Sequence, residues 1–125
     1  MIQEEKELLI KDLCARLPYG IKADGYPWIT REYVESISRD RVNLQGTWVN
    51  IEDVKPYLRP MSSMTEDEVK EFATLESIDV LGGDIKITCV ELSIDAIDWL
   101  NANHFDYRGL IPMGFALEAK EGMYK

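Results

Sequence analysis

Residues 99–119 read WLNANHFDYRGLIPMGFALEA, and this stretch is the most informative part of the chain. It gathers large aromatic side chains around His104, the only histidine, and adds the turn-forming residues 106–109. The aromatic residues are Trp99, Phe105, Tyr107 and Phe115. Such a density of bulky and turn-forming residues is typical of a fixed surface or of the closure of a core. The stretch matches no catalytic motif, so it bears on the fold more than on an activity.

A helix is predicted to lead into this stretch. Ser93 is of the residue type that caps helix N-termini, and apolar residues then recur at helical spacing to about Asn103. The residues expected to face inward are Ile94, Ile97 and Leu100. Trp99 belongs to the same short helix, and we expect it mainly in the core.

Glycine-containing turns divide the second half of the chain. Residues 78–90 alternate apolar and polar side chains around the Gly82–Gly83 pair, which predicts a hairpin. After the long stretch, Gly109 and residues 112–114 predict two further turns. Residues 115–119 then predict a last extended piece.

A capping box predicts another helix before that hairpin. Thr65 is the expected N-cap and Glu68 lies three residues later, so each can bond the other's backbone N–H. The helix is expected to run to about Leu75. The residues expected on one face are Val69, Phe72 and Leu75.

The N-terminal residues 3–17 also predict a helix, which Pro18 ends. Its apolar stripe consists of Leu9, Leu13 and Leu17, widened by Ile10 and Cys14. Because this stripe recurs every three or four residues, we expect it to face the core.

Residues 21–50 predict short strands. Residues 33–37 and 41–44 flank the polar residues 38–40, which indicates a tight hairpin, and residues 48–49 give another strand. A helical stripe is also consistent with Ile29, Tyr33 and Ile37. We favour strands because β-branched and aromatic residues dominate.

The residues after these strands predict one helical turn, at 51–54, and then a stiff crossing segment between Pro56 and Pro60. Taken together, residues 1–125 predict one α+β domain. It would have three helices and five or six short, mainly antiparallel strands. Residues 33–60 are also similar to part of an SH3-like barrel, which is an analogy of fold only.

Charge is distributed unevenly along the chain, whose net charge is −9. Residues 61–125 carry thirteen acidic and five basic residues, a balance of −8, whereas residues 1–60 are nearly neutral. A protein that binds nucleic acids needs clustered Lys and Arg to neutralise phosphates, so we expect this chain not to bind them. The only plausible cluster is Arg31, Arg39, Arg41 and Arg59. The acidic half either aids solubility or docks a basic partner.

No secretion signal or long apolar run is evident, so a cytoplasmic protein without membrane contact is expected. In that compartment Cys14 and Cys89 are expected as buried free thiols, with a disulfide or a reactive thiol as the alternatives. One histidine and no CxxC pair argue against a structural metal site, and no cofactor motif is found.

Catalytic interpretations are weak. His104 with Asp106 could form an oriented base, but we expect a structural histidine hydrogen-bonded in the turn. The carboxylate pairs lie mostly at predicted helix starts, where the helix dipole explains them. The three tryptophans could form a binding surface, but large aromatic residues belong more often to the core.

The sequence therefore favours a non-enzymatic accessory protein that binds another protein. The candidate interaction surface consists of Tyr107, Arg108, Asp106 and Arg59. One alternative is an acidic inhibitor that occupies a nucleic-acid-binding surface. Another is a hydrolase whose carboxylates follow no known motif. A broad apolar patch would favour the interaction module, and a deep pocket with convergent carboxylates would favour the enzyme.

Three strings carry a resemblance to a family. They are DLCARLPYG at 12–20, KPYLRPMSSMTEDE at 55–68 and WLNANHFDYRGLI at 99–111. Together they resemble a family of small proteins from gut bacteria and their phages or prophages. The family carries no assigned reaction or catalytic residues. The resemblance implies a phage or mobile-element context and no mechanism.

Overall fold

The computed structural model describes residues 2–26, 28–76, 94–120 and 122–124. In these ranges the helices are Gln3–Arg16 (α1), Glu66–Glu76 (α2), Ile94–Ala102 (α3) and Leu110–Met113 (α4). The strands are Lys22–Gly25 (β1), Ile29–Ser38 (β2), Arg41–Leu44 (β3), Thr47–Asn50 (β4), Val54–Leu58 (β5) and Leu117–Glu118 (β6). They form one six-stranded sheet in the order β4-β3-β2-β1-β5-β6. The pairs are antiparallel except for β5 with β6, so the predicted α+β class is confirmed.

Helix α1 confirms the prediction for residues 3–17 to within one residue, since Leu17 begins a 3₁₀ turn that contains Pro18. Its buried face differs from the predicted stripe. Leu9 and Leu13 are fully buried, but the other fully buried residues are Asp12 and Arg16. The buried face of the helix therefore contains an ion pair as well as apolar side chains.

Two tight hairpins build one end of the sheet and confirm the strands predicted for residues 33–49. Ser38 pairs with Arg41, so β2 and β3 are joined by a two-residue loop. Leu44 pairs with Thr47 around Gln45 and Gly46, whose φ angles are 51° and 94°. Two consecutive positive φ values define the type I′ turn, whose twist matches that of the strands.

The predicted crossing segment between Pro56 and Pro60 is wrong, because its first half is strand β5. The predicted helical turn before it is confirmed as a 3₁₀ turn, Ile51–Asp53. In β5, Pro56 pairs with Ala23 of β1, and the first pair with β6 comes one residue later, at Tyr57. A proline is tolerated at position 56 because pairing with β6 begins only at the next residue, so no hydrogen bond of that pair needs an N–H there.

The sheet is open, so the SH3-like barrel is not confirmed. It is nevertheless curled, because Gly25 of β1 packs against β3 and β4. A Cβ atom at Gly25 would lie 2.7 Å from Cδ1 of Leu44 and 3.2 Å from Cγ2 of Val49. Because of this curl, the turn after β1 lies near β4, the strand at one edge of the sheet.

The apolar core has two parts. One lies between α1 and the sheet; the smaller one contains Phe72 of α2, Ala96 and Leu100 of α3, and Phe105. The capping box is confirmed, with hydrogen bonds between Thr65 and Glu68 in both directions.

Three predictions for the inward face of α3 meet different outcomes. Leu100 is fully buried and Ile97 is partly buried, but Ile94 is 78% exposed, so its inward placement is wrong. Trp99 is only partly buried, against the smaller core. The predicted hairpin at 78–90, the cap at Ser93 and the thiol of Cys89 lie outside the described residues.

Candidate functional site

A buried ion network ties the turn after α3 to α1. Arg16 donates to Asp12 from Nε at 2.9 Å and from Nη2 at 3.1 Å. Nη2 of Arg16 also donates to the carbonyl oxygen of Phe105 at 2.6 Å. Arg108 donates from Nη1 to Oδ1 of Asp12 at 2.7 Å. Burying a charge away from water is costly unless it is paired. Loss of any partner from this network should therefore destabilise the packing of the turn on α1.

The turn residues named as an interaction surface are held within the chain. Asp106 is buried and accepts hydrogen bonds from the backbone N–H groups of Leu110 and Ile111, at 2.8 and 2.9 Å, which caps α4. The Tyr107 hydroxyl donates to Asn101 at 2.9 Å. The guanidinium carbon of Arg108 lies 4.5 Å from the centroid of the Tyr107 ring. Asp106 and the Tyr107 hydroxyl therefore engage partners inside the chain.

Arg59, the fourth of these residues, is also engaged. Its guanidinium donates to both carboxylate oxygens of Glu68, at 2.7 and 2.8 Å, and lies 4.1 Å from the centroid of the Phe105 ring. Its backbone N–H donates to the carbonyl oxygen of His104. Arg59 thus joins α2, β5 and the turn after α3.

His104 closes α3 in a conformation that glycine usually adopts. Its φ is 60°. Its N–H donates to the carbonyl oxygen of Asn101, and the N–H of Phe105 donates to that of Leu100. This pair of bonds defines a Schellman motif, in which a side chain at the left-handed position is strained. The strain is offset because the imidazole is buried and its Nε2 is hydrogen-bonded within the chain.

The imidazole of His104 is neutral at pH 7. Its Nε2 lies 3.1 Å from the carbonyl oxygen of Tyr19, and its ring centroid is 4.0 Å from that of Tyr124. Burial, followed by the nearby Arg16 guanidinium, lowers the pKa of His104 to about 4. The neutral ring donates from Nε2 to Tyr19, so His104 is placed as a packing and hydrogen-bonding residue.

A cleft of about 590 Å³ lies beside the Arg59–Glu68 pair. It is lined by Arg59, Pro60, Ser63, Thr65, Glu68, Glu118, Ala119, Gly122 and Tyr124. The hydrogen bonds from Arg59, and secondarily that from the Thr65 backbone, lower the pKa of Glu68. Glu68 is therefore an ionised, fully engaged carboxylate, which cannot supply a proton as a general acid does.

Exposed aromatic side chains gather at the open side of β4. We define the aromatic edge as Tyr26, Trp28 and Trp48, which are 76%, 81% and 42% exposed. All three line a groove of about 240 Å³ between the β1–β2 turn and β4. Ile29, Arg41, Thr47, Val49, Asn50 and Asp53 complete its lining. The groove thus has aromatic walls with one guanidinium and one carboxylate.

The sequence does not predict the aromatic edge, because large aromatic residues such as the tryptophans are expected in the core. For Trp28 and Trp48 that expectation is wrong. Alternation in β4 gives the signal that was available, because Val49 is buried and its neighbour Trp48 must therefore point to the opposite face. The exposure of Tyr26 and Trp28 depends on how the β1–β2 turn curls, which no local pattern encodes.

Models of protein families, curated proteins and solved structures yield no match to this chain. Among the described residues, no three His, Cys, Asp or Glu side chains come together as metal ligands. Within the same ranges, no helix has the length and apolar character needed to cross a membrane.

Proposed function

We propose that this chain is a non-enzymatic protein-binding module and that its partner binds the aromatic edge. The observation that carries the proposal is the exposure of Trp28, Tyr26 and Trp48 around one groove. Contiguous exposed apolar surface marks interaction sites on proteins, and tryptophan and tyrosine are enriched among the residues that dominate binding energy. A partner that covers these rings removes their apolar surface from water, which favours binding.

The turn at Asp106–Arg108 supports this function less well than the aromatic edge. The carboxylate of Asp106, the hydroxyl of Tyr107 and the guanidinium of Arg108 already have partners inside the chain. A binding partner would have to replace those bonds, whereas the aromatic edge offers side chains that are largely exposed. We therefore assign this turn a structural role.

The two alternatives fit less closely. A carboxylate-based hydrolase needs two carboxyl groups in opposed roles across a cleft. In the large cleft, Glu68 is committed to Arg59 and Thr65. An acidic inhibitor would present carboxylates to a basic partner, but the groove of the aromatic edge contains a single carboxylate, Asp53, balanced by Arg41.

Selection from a phage-displayed library of random heptapeptides tests the proposal. We expect peptides enriched on the wild-type chain to lose affinity by about tenfold or more for Trp28→Ser, because Trp28 is the most exposed of the three aromatic side chains. Ile94→Ser is the matched control, since Ile94 is 78% exposed but lies on α3, in another element.

Enriched peptides that bind the control with wild-type affinity and Trp28→Ser weakly support the proposal. The proposal is contradicted if no peptide is enriched. It is equally contradicted if the enriched peptides bind Trp28→Ser as well as they bind the wild-type chain.

A further inference from the structure

We propose that the partner binds as an extended, basic segment that adds a strand to the open side of β4. This inference rests on the proposed function and names the kind of partner that the aromatic edge takes. It concerns backbone hydrogen bonds as well as side chains, so it can fail while the proposed function stands.

The geometry of the β3–β4 hairpin determines which backbone groups β4 offers. Leu44 and Thr47 flank a two-residue turn, so they exchange both hydrogen bonds, and Val42 and Val49 do the same two residues on. The N–H and C=O groups of Trp48 and Asn50 therefore point away from β3. In the described part of the chain, no strand pairs with β4 on that side.

The side chains around β4 suit an added strand. Val49 faces the end of β1, because it lies against Gly25, and alternation puts Trp48 on the opposite face of the sheet. Side chains of an added strand would alternate in the same way. One set would contact Tyr26 and Trp28, and the other would contact Trp48, so both faces of the partner strand would meet aromatic rings.

The charge of this chain determines whether the partner segment is acidic or basic. The linings of the groove and of its two adjoining pockets hold more carboxylates than basic groups, so their field attracts a basic segment and repels an acidic one. Near the groove, Arg41 and Asp53 offset each other, and Glu32 lines the adjoining pocket with Trp28. A second copy of this chain is disfavoured for the same reason, because two chains of −9 repel each other.

Asn50→Pro tests the backbone contact directly. The φ of Asn50 is −65°, the value that proline requires, and its N–H points away from β3, so the substitution leaves the sheet intact. Asn50→Ala is the matched control, since it removes the same side chain and keeps the N–H. The probe is a fluorescein-labelled heptapeptide that alternates valine with lysine and threonine, and binding is followed by anisotropy.

We expect Asn50→Pro to weaken binding of this heptapeptide by about tenfold and Asn50→Ala to leave it unchanged, because only proline removes a hydrogen bond. A glutamate-for-lysine peptide and a proline-rich peptide of the same charge are expected to bind at least about tenfold more weakly. Equal binding to both Asn50 variants would overturn strand addition. Equal or tighter binding of the proline-rich peptide would assign the groove to a polyproline helix instead.

A second measurement does not depend on any variant of the chain. N-methylation at alternate residues of the heptapeptide gives two probes, and in strand addition only one set of peptide N–H groups faces β4. One methylated probe should lose affinity by about tenfold while the other keeps it. If both keep it, or neither basic probe binds, the inference is overturned. The library selection then decides separately whether the aromatic edge binds peptides at all.

Discussion

At the scale of single residues, the main structural feature is an ion network that a hydrophobic pattern cannot reveal. Asp12 and Arg16 occupy core positions on α1, and Arg108 reaches Asp12 from the turn after α3. Their spacing of four residues was visible in the sequence, but such pairs are usually solvated. Burial of this pair depends on partners about ninety residues away, so local patterns could not predict it.

Asp12→Asn tests the network. The substitution keeps the shape of the side chain but leaves the Arg16 guanidinium buried without a counter-charge, so we expect a loss of about 3–5 kcal/mol in the free energy of unfolding. Urea denaturation measures this loss. Glu52→Gln is the control, because Glu52 pairs with Lys6 at the surface and its loss should leave the midpoint unchanged. Equal effects of the two substitutions would contradict the burial of Asp12.

His104 makes stability depend on pH. Its native pKa is about 4 and its ordinary value is 6.5, so between these values the unfolded chain binds a proton that the native chain does not. Stability is therefore full above about pH 6.5 and falls as the pH drops toward 4, by about 3 kcal/mol in total. The fall between pH 8 and pH 5 should be about 2 kcal/mol of this total.

His104→Asn isolates this contribution, because asparagine tolerates the left-handed conformation and does not titrate. Urea denaturation at pH 8 and pH 5 should show a smaller loss of stability for the variant than for the wild-type chain, by about 2 kcal/mol. The same loss in both proteins would show that His104 is accessible to protons in the native state.

Cys14 corrects the prediction of two buried thiols, because its side chain is exposed on α1. The predicted apolar stripe includes Cys14, but the buried face of α1 consists of Leu9, Asp12, Leu13 and Arg16. In a Cys89→Ser variant, Ellman's reagent should label Cys14 nearly as fast in the native protein as in urea. Strong native protection of Cys14 would show that the helix packs through a different face.

At the scale of elements, local chemistry predicted most boundaries but not every partner. Turn residues fixed the two hairpins, and the capping box fixed the start of α2. The sequence does not predict strand β5, because Pro56 within it and Pro60 just after it are typical of an irregular segment. The parallel pairing of β5 with β6 joins residues 57 and 117, and a contact between such distant residues leaves no local pattern.

Trp99 links two of these elements. Its ring centroid lies 5.8 Å from that of Phe72 on α2 and 5.6 Å from that of Phe105 in the turn. Trp99→Ala should cost about 3 kcal/mol, the lower end for such truncations, because the side chain is only partly buried. Thermal or urea denaturation measures the loss, and an unchanged midpoint would contradict the packing of α3 on α2.

At the scale of the whole molecule, the fold class could be predicted, but the candidate site could not. The sequence led to residues 106–108 and Arg59 because aromatic and charged residues cluster there. The structure instead occupies that cluster with internal contacts and exposes Tyr26, Trp28 and Trp48 elsewhere. Whether an aromatic residue is core or surface depends on the curl of the sheet, which long-range packing decides.

The three tryptophans provide the most direct test of the aromatic edge as the binding surface. Each indole N–H gives a separate signal in a ¹⁵N-correlation spectrum, and Trp99 on α3 serves as an internal control. Titration with the most enriched heptapeptide should shift the signals of Trp28 and Trp48 and leave that of Trp99 unchanged. A shift confined to Trp99 and the backbone amides of residues 104–108, with Trp28 and Trp48 unaffected, would contradict this account.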